Sequence, residues 1–409
     1  MTVLIINTFY YPKFTGGAEI SVQLLAEGLL KEGKKVFVLT TGSANRVYRV
    51  NGVVVIALKQ RNIYSNYFGT TKPQLLKMVW HFIDSANIFY HFKISSLLKK
   101  IKPDLVHTNN IQGFSPFIWH TIKIHKINLV HTTRDYYLLC HKCNLYNNNK
   151  DCESLCLPCK VTHNIKKRFT AYPDRFVGIS NYILQKHKQY LQISGQNKVI
   201  YNAVSLQEKP ASSQVGANIT FGYIGRIVKD KGVEYLADEL SKLSPELKLS
   251  FKIVFAGDGD TDFINRLKSK LTGINYEFLG VLKPADFYKN IDVLLVPALW
   301  NEPFGRTVIE SRSYAVPVCQ SDRGGLKEIY DQDNSWMFSP DEGVLSALLA
   351  RILRNRTEIA EKKEKCMGHA GQFSAQNYIN QHLELYGQLI NESKCKAGYI
   401  PALHNEITN

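Results

Sequence analysis

Short β-branched runs alternate with helical patterns along almost the whole chain, and this alternation limits the fold more than any other feature. A run such as Asp292-Val-Leu-Leu-Val-Pro297 is too short for a helix and apolar throughout, as a strand buried on both faces must be. In the first half, strands are expected at 3–8, 35–41, 53–58, 104–108, 128–133, 175–179 and 198–201, with helical patterns near 18–31, 74–101, 114–125 and 180–191. In the second half, strands at 219–225, 251–256, 275–280, 292–297 and 317–320 alternate with helices near 231–243, 261–272, 284–290, 305–315 and 325–330. Further helices follow near 342–355, 357–370 and 374–392. Between the halves, 201–218 loses periodicity and gains Pro, Ser and Gly, the composition of a linker. The expected fold class is α/β: two Rossmann-like, doubly wound parallel-sheet domains facing across a cleft, with a ligand at the carboxyl ends of the strands. The first domain is expected at 1–203 and the second at 204–373, with the helix 374–392 completing the first.

At 409 residues the chain has room for two such cores, and its 44% hydrophobic content is ordinary for a soluble globular protein. No secretory leader is legible ahead of the first strand, and no window of about 18 uncharged apolar residues exists. The expected compartment is the cytoplasm. The net charge of +16 is unevenly distributed. Residues 1–203 hold 27 Lys and Arg against 9 Asp and Glu, whereas 204–409 hold 24 against 26. A basic first half attracts phosphates, anionic headgroups or nucleic acid; the plainer reading is a lysine-rich soluble surface.

Two glutamates eight residues apart, Glu302 and Glu310, concentrate the chemistry. Glu302 falls in a strand-to-helix loop and Glu310 about one turn inside the helix. The amides of Phe304, Gly305, Arg306 and Thr307 form that helix's open N-terminus, which favours an anion. Two acids beside an anion site suit a ligand with hydroxyls and phosphates, such as a nucleotide-sugar. Upstream, Gly225-Arg226 ends a strand and Lys231-Gly232 opens the next helix. Arg226 and Lys231 at a strand's carboxyl end can hold a diphosphate and neutralise a departing nucleotide. Either cation alone would read as a salt-bridged loop.

In order and spacing, these pieces resemble retaining glycosyltransferases of the GT-B fold, in particular glycosyltransferase family 4. The resemblance runs through Gly225-Arg226, Lys231-Gly232, Ala256-Gly257-Asp258-Gly259, Phe278-Leu279-Gly280, Glu302 to Glu310, Pro317-Val318 and Gly324-Gly325 with Glu328. It covers the second half closely, and the first half at Thr15-Gly16-Gly17-Ala18-Glu19 and Tyr201-Asn202-Ala203-Val204. It implies that Arg226 and Lys231 clamp the diphosphate, Glu310 binds the ribose and Glu302 binds the donor sugar beside its anomeric carbon. The Phe304 and Gly305 amides would orient sugar and phosphate, and Gly16-Gly17 would let the first loop approach the diphosphate. It also implies retention of configuration, with no metal needed for catalysis. The sequence departs from the family where His-Asp is usual: it has Arg134-Asp135. Arg134 cannot act as a base but can bind a hydroxyl or phosphate. His131, three residues earlier, reads as a structural histidine at a strand end. Ala315 stands where glycine is common in the family, a change expected to tighten helix packing and leave the chemistry untouched.

Cys140, Cys143, Cys152, Cys156 and Cys159 lie within 20 residues, in an insert at 140–163. Two Cys-x2-Cys pairs can wrap a tetrahedral zinc ion, though five thiols exceed four ligands and their separation is shorter than in common zinc ribbons. Structural zinc, free thiols and disulfides all remain open at this point. The segment 56–102 is basic and aromatic, with Tyr64, Tyr67, Phe68, Trp80, Phe82, Phe89, Tyr90 and Phe92. Leu75, Leu76, Val79, Phe82, Ile83 and Ala86 keep a helical stripe, which reads either as domain core or as a face toward anionic lipid.

The sequence thus predicts a cytoplasmic glycosyltransferase, peripheral on the inner face of the cell membrane. It would move a sugar from a nucleotide-sugar to a glycan or lipid-linked acceptor in surface-polysaccharide assembly, without nucleic acid as a partner. Two alternatives belong to other classes: a GT-B nucleotide-sugar epimerase, and a basic zinc-containing protein that binds nucleic acid or membrane.

Overall fold

The computed structural model describes residues 1–14, 16–65, 72–193, 195–205 and 218–398. Two parallel sheets dominate. The first joins β1 (Thr2–Ile6), β2 (Lys35–Gly42), β3 (Arg46–Val50), β4 (Val53–Lys59), β5 (Leu105–Thr108), β6 (Asn128–Thr133), β9 (Arg175–Gly178) and β10 (Lys198–Val199). A small hairpin, β7 (Tyr146–Asn147) and β8 (Lys150–Asp151), stands apart. The order across the first sheet is β10-β9-β6-β5-β1-β2-β4-β3. The second sheet holds β11 (Ile219–Ile224), β12 (Phe251–Ala256), β13 (Asn275–Phe278), β14 (Val293–Val296), β15 (Val318–Ser321) and β16 (Ser335–Phe338). Its order is β13-β12-β11-β14-β15-β16, parallel throughout.

The apolar runs become strands because both faces are covered. Val3, Leu4, Ile5 and Ile6 of β1 are all buried, as are Val293, Leu294 and Leu295 of β14. One strand unexpected from the sequence, β3, is the antiparallel edge of the first sheet. Its exposed arginines hide the strand signal, yet Asn51 and Gly52 between β3 and β4 have φ of 48° and 86°, as a tight hairpin turn requires. The hairpin strands β7 and β8 were not expected either, nor was β16 in the second sheet, which is only four residues long. The continuous helix expected at 74–101 is broken into helix Gln74–Asp84, a 3-10 turn Ile88–Tyr90 and helix His91–Ile101. Asn87 causes the break: its side-chain carbonyl accepts from the Phe89 N–H at 3.0 Å and caps a new turn. The helix expected at 325–330 is a 3-10 turn, Gly324–Ile329. Residues 206–217 of the expected linker, like Tyr67 and Phe68, lie outside the described residues.

In each sheet, the strand order reverses beside the domain's first strand, between β1 and β5 and between β11 and β14. Ligands of doubly wound sheets bind in the crevice outside such reversal points. The loops that leave β1 and β11 carry Gly16-Gly17 and Gly225-Arg226. The long helix Ala375–Gly398 crosses back from the second domain to pack on helix Gly17–Lys31. Tyr378, Ile379, Leu385, Tyr386 and Leu389 share a core with Val22, Leu25, Ala26 and Leu29. The two helices touch so closely at Gly28 that a Cβ there would lie 2.1 Å from Ile379 Cδ1.

Candidate functional site

A cavity of about 490 Å³ opens between the domains, bounded by Gly16, Gly17, Arg134, Asp135, Arg226, Lys231, Glu302, Phe304, Gly305 and Arg306. A second cavity of about 240 Å³ shares the Gly16-Gly17, Arg226 and Arg306 walls and reaches Thr307 and Glu310. All the residues expected at a donor site are therefore brought to one crevice, although the sequence spreads them from 16 to 310.

The loop after β14 holds Glu302 in place through backbone contacts. The Gly325 N–H donates to the Glu302 carbonyl at 2.7 Å. A Cβ on Gly324 would lie 2.5 Å from the Glu302 carbonyl oxygen, and one on Gly325 would lie 2.5 Å from that of Pro303. Only glycine lets the two segments meet so closely. Helix Arg306–Ser313 then begins behind Gly305, whose φ of 102° turns the chain. Its first turn lines the cavities, so the positive end of its dipole is at the crevice.

The charged groups are paired across these elements. Lys231 Nζ donates to both Glu302 carboxylate oxygens, at 3.0 and 2.8 Å, and lies 4.8 Å from the centre of the Trp300 ring. Arg306 Nε donates to Glu310 Oε1 at 2.7 Å. The same guanidinium crosses the cleft to Ser21 Oγ at 3.2 Å and fills the space beside Gly17, where a Cβ would lie 2.9 Å from Arg306 Cδ. Arg226 is exposed, and among the described residues no hydrogen bond or ion pair holds its guanidinium. Among the described residues, the crevice thus sets the Lys231–Glu302 and Arg306–Glu310 pairs beside Arg226, whose guanidinium has no such partner.

Asp135 is half-buried in the same wall and accepts from the Tyr137 N–H at 2.8 Å. Burial pushes its carboxyl up to about 6. Arg134 lines the crevice with its guanidinium held by three side chains. Its Nε donates to Asn109 Oδ1 at 2.8 Å, one terminal nitrogen to Asn202 Oδ1 at 2.7 Å and the other to Tyr378 Oη at 3.0 Å. It is a strut that ties the β6 loop to the hinge and to the returning helix. His131 is buried on the far side, with Nδ1 3.0 Å from Thr108 Oγ1 and its ring against Trp119, as a structural histidine should be. Burial holds it neutral, well below the usual histidine range. Ala315 has φ of 57°, the left-handed conformation that glycine tolerates best. Its position ends a helix and takes no part in tightening one.

The cysteine insert forms the wall opposite Lys231, where His141, Lys142, Cys143 and Asn144 line the cavity. The expected tetrahedral zinc set is not assembled. Among the described residues, no group of three or more His, Cys, Asp and Glu side chains is arranged to hold a metal ion. Cys140 and Cys159 lie with their sulfurs 3.6 Å apart, and His141 Nδ1 is 3.1 Å from Cys159 Sγ. Cys143, at φ 62°, is half-buried with its thiol 3.9 Å from the His141 carbonyl oxygen, while Cys156 is exposed. All five are free thiols.

Sequence reasoning missed several residues that build the site. Glu19 is buried at the crevice and accepts from the Gly16 N–H at 2.9 Å; the Gly16-x2-Glu19 spacing is a capping signal that could have revealed it. Contacts across the cleft had no local signal. Ser180 Oγ donates to the Pro303 carbonyl at 2.6 Å, and Tyr136 Oη to the Asn301 carbonyl at 2.6 Å. Glu328 accepts from the N–H groups of Asn181, at 2.7 Å, and Tyr182, at the start of helix Asn181–Lys188.

Comparison with known proteins agrees with this architecture. The sequence family "Glycosyl transferases group 1" matches residues 206–372, and "Glycosyltransferase Family 4" matches residues 15–208. An "Uncharacterized 42.6 kDa protein in cps region" of Klebsiella pneumoniae is 35% identical over 338 residues, covering 80% of this chain and 87% of the relative. Among solved structures, sucrose-phosphate synthase from Thermosynechococcus elongatus superposes with a TM-score of 0.75 at 17% identity, over 96% of this chain and 99% of the other. Anabaena Alr3699/HepE in complex with UDP gives 0.69 at 18% identity, over 95% and 100%. At these identities the structural likeness speaks for the fold.

Proposed function

The chain belongs to the glycosyltransferases of group 1 and family 4 and has their GT-B fold, and we propose that it transfers a sugar from a nucleotide-sugar to a glycan or lipid-linked acceptor with retention of anomeric configuration. One observation carries the reading. Lys231 bonded to Glu302, Arg306 bonded to Glu310 and the unengaged Arg226 meet a helix N-terminus in one crevice. Such a crevice suits a ligand that is anionic in the middle and rich in hydroxyls at both ends.

In this reading the diphosphate lies against Arg226, Lys231 and the Phe304 and Gly305 N–H groups, which together offset the charge that builds as the nucleotide departs. Glu310 accepts from the ribose hydroxyls, and Arg306 gives up or shares that carboxylate. Glu302 accepts from the donor sugar's hydroxyls, with Lys231 fixing its orientation. Gly16 and Gly17 bring the first domain's backbone to the same phosphates. Asp135 receives the acceptor hydroxyl, and Arg134 holds the β6 loop that presents it. The UDP held by HepE supports a nucleoside diphosphate as the leaving group, and the cps-region relative supports surface-polysaccharide assembly. No helix among the described residues is long and apolar enough to cross a membrane. A lipid-linked acceptor would be met at an anionic membrane surface, a reading the basic first half of the chain supports.

The test is a panel of UDP-, GDP- and ADP-sugars, with and without lipid acceptor, scored by released nucleotide. Release from one donor, lost in Glu302→Ala, is expected. The anomeric proton coupling of the product reports retention, and an inverted product would overturn that part. Neither release nor binding of any nucleotide would overturn the whole reading.

A further inference from the structure

We propose that helices Gln74–Asp84 and Leu157–Lys167, with the turn at 88–92, form one face that docks the protein on an anionic lipid bilayer. This deepens the membrane part of the reading above and rests on it only for the acceptor.

The helix Gln74–Asp84 has its amphipathicity turned outward. Only Trp80 and Asp84 are buried; Leu75 is 71% exposed and Phe82 55%. A surface helix of a globular protein normally sends its apolar stripe to the core. Here one indole anchors the helix, its Nε1 donating to the Tyr64 carbonyl at 3.1 Å. The following turn continues the pattern, with Phe89 and Phe92 55% and 85% exposed. The neighbouring helix Leu157–Lys167 adds Leu157, 75% exposed. Apolar groups this large, gathered on adjoining elements and open to water, mark a binding face.

Charge selects the partner. Between 59 and 103 the sequence has eight Lys and Arg and one acid, Asp84. That acid is buried and committed to the Tyr137 hydroxyl at 2.7 Å and the Gly113 N–H at 2.7 Å. Helix Leu157–Lys167 holds no acid, and of its lysines Lys160 and Lys167 are exposed while Lys166 is buried on the Tyr137 carbonyl. Lys77, Lys93 and Lys160, each within three residues of an exposed apolar side chain in sequence, are themselves exposed. An apolar face ringed by cations without anions matches acyl chains beneath anionic headgroups. A protein partner would ordinarily call for some acids on the rim, to pair with its own cations.

The face also adjoins the crevice. The His81 ring lies 5.1 Å from that of His141, which lines the cavity between the domains. A protein seated on this face would hold the rim of its crevice close to the headgroups, where the head of a lipid-linked acceptor lies.

Co-sedimentation with phosphatidylglycerol-rich vesicles and with pure phosphatidylcholine vesicles tests the assignment. The wild type is expected to bind the first and not the second. Replacing Leu75, Phe82 and Phe92 together by Ser should lower partitioning by about a hundredfold. Lys77→Glu with Lys93→Glu should lower it by at least roughly tenfold at low salt. Both variants should keep the wild-type unfolding midpoint and wild-type nucleotide release with a soluble acceptor. Unaltered partitioning in the folded serine variant would overturn the proposal. So would a vesicle-free dimer that the serine substitutions dissolve, since the face would then be occupied by a second copy. Vesicle binding that needs these residues, with no donor turned over and no nucleotide bound, would support this face while removing the transferase reading.

Discussion

Replacing Lys231 separates chemistry from stability. Its ammonium lies 2.8 and 3.0 Å from the Glu302 oxygens, with the two side chains 23% and 17% exposed. Two unit charges at about 4 Å attract by roughly 4 kcal/mol at an effective dielectric near 20. Desolvation and residual screening reduce the net value of a partly exposed pair to about 1–2 kcal/mol. Lys231→Met should therefore cost about 1–2 kcal/mol in urea unfolding, small against the roughly 5–15 kcal/mol of a typical domain. The catalytic cost should be larger. A preorganised cation facing charge that develops in the transition state contributes about 3–4 kcal/mol, so kcat should fall by roughly a hundredfold to a thousandfold. Glu302→Gln should also be severe. If the two act as a unit, the double variant should lose little more than the worse single variant. Initial rates of nucleotide release at saturating donor, beside urea midpoints, supply both axes. A kcat within about threefold of wild type in folded Lys231→Met would refute the reasoning, as would fully multiplicative losses in the double variant.

Three further outcomes are expected. Glu310→Ala should raise the nucleotide Kd by about tenfold to a hundredfold, since charge-assisted hydrogen bonds contribute roughly 1.5–3 kcal/mol; calorimetry showing equal affinity would discard the ribose role. Burial pushes Asp84 up from 3.8 to about 6, so its folded form holds a proton that the unfolded chain releases. That stability is present in full below the unfolded value and is lost as pH rises through about 6, so Asp84→Asn should flatten the decline of the urea midpoint across this window. An unchanged pH profile would contradict it. Ala315→Gly should raise stability by about 0.5 kcal/mol, because relief of the left-handed strain outweighs glycine's extra unfolded entropy. A lower midpoint by calorimetry would count against it.

The legible parts of this protein were those with local causes. The apolar runs of β1 and β14 announce buried strands by themselves, and the Glu302 to Glu310 frame announces an anion site because its helix N-terminus is written into the same nine residues. What stayed hidden depends on distant partners. Nothing local to Arg134 announces that Asn109, Asn202 and Tyr378 hold its guanidinium, the last of them 244 positions away. The cysteine spacing allowed zinc, but whether the thiols converge depends on the folded insert, where Cys143 sits in a left-handed turn and Cys156 is exposed. The stripe on helix Gln74–Asp84 fixes a face without saying which way it points. Only the placement of Trp80 decides that.

The returning helix Ala375–Gly398 has a mechanical consequence. The chain passes between the domains twice, once near 205 and again near 373, where the Val204 N–H donates to the Phe373 carbonyl at 3.0 Å. Two crossings side by side work as the paired leaves of a door hinge: they permit swinging about one axis and resist twisting about others. Opening for substrate should follow that single arc, so that Arg306 returns to Ser21 and Glu328 to the start of helix Asn181–Lys188 in the same register on every turnover.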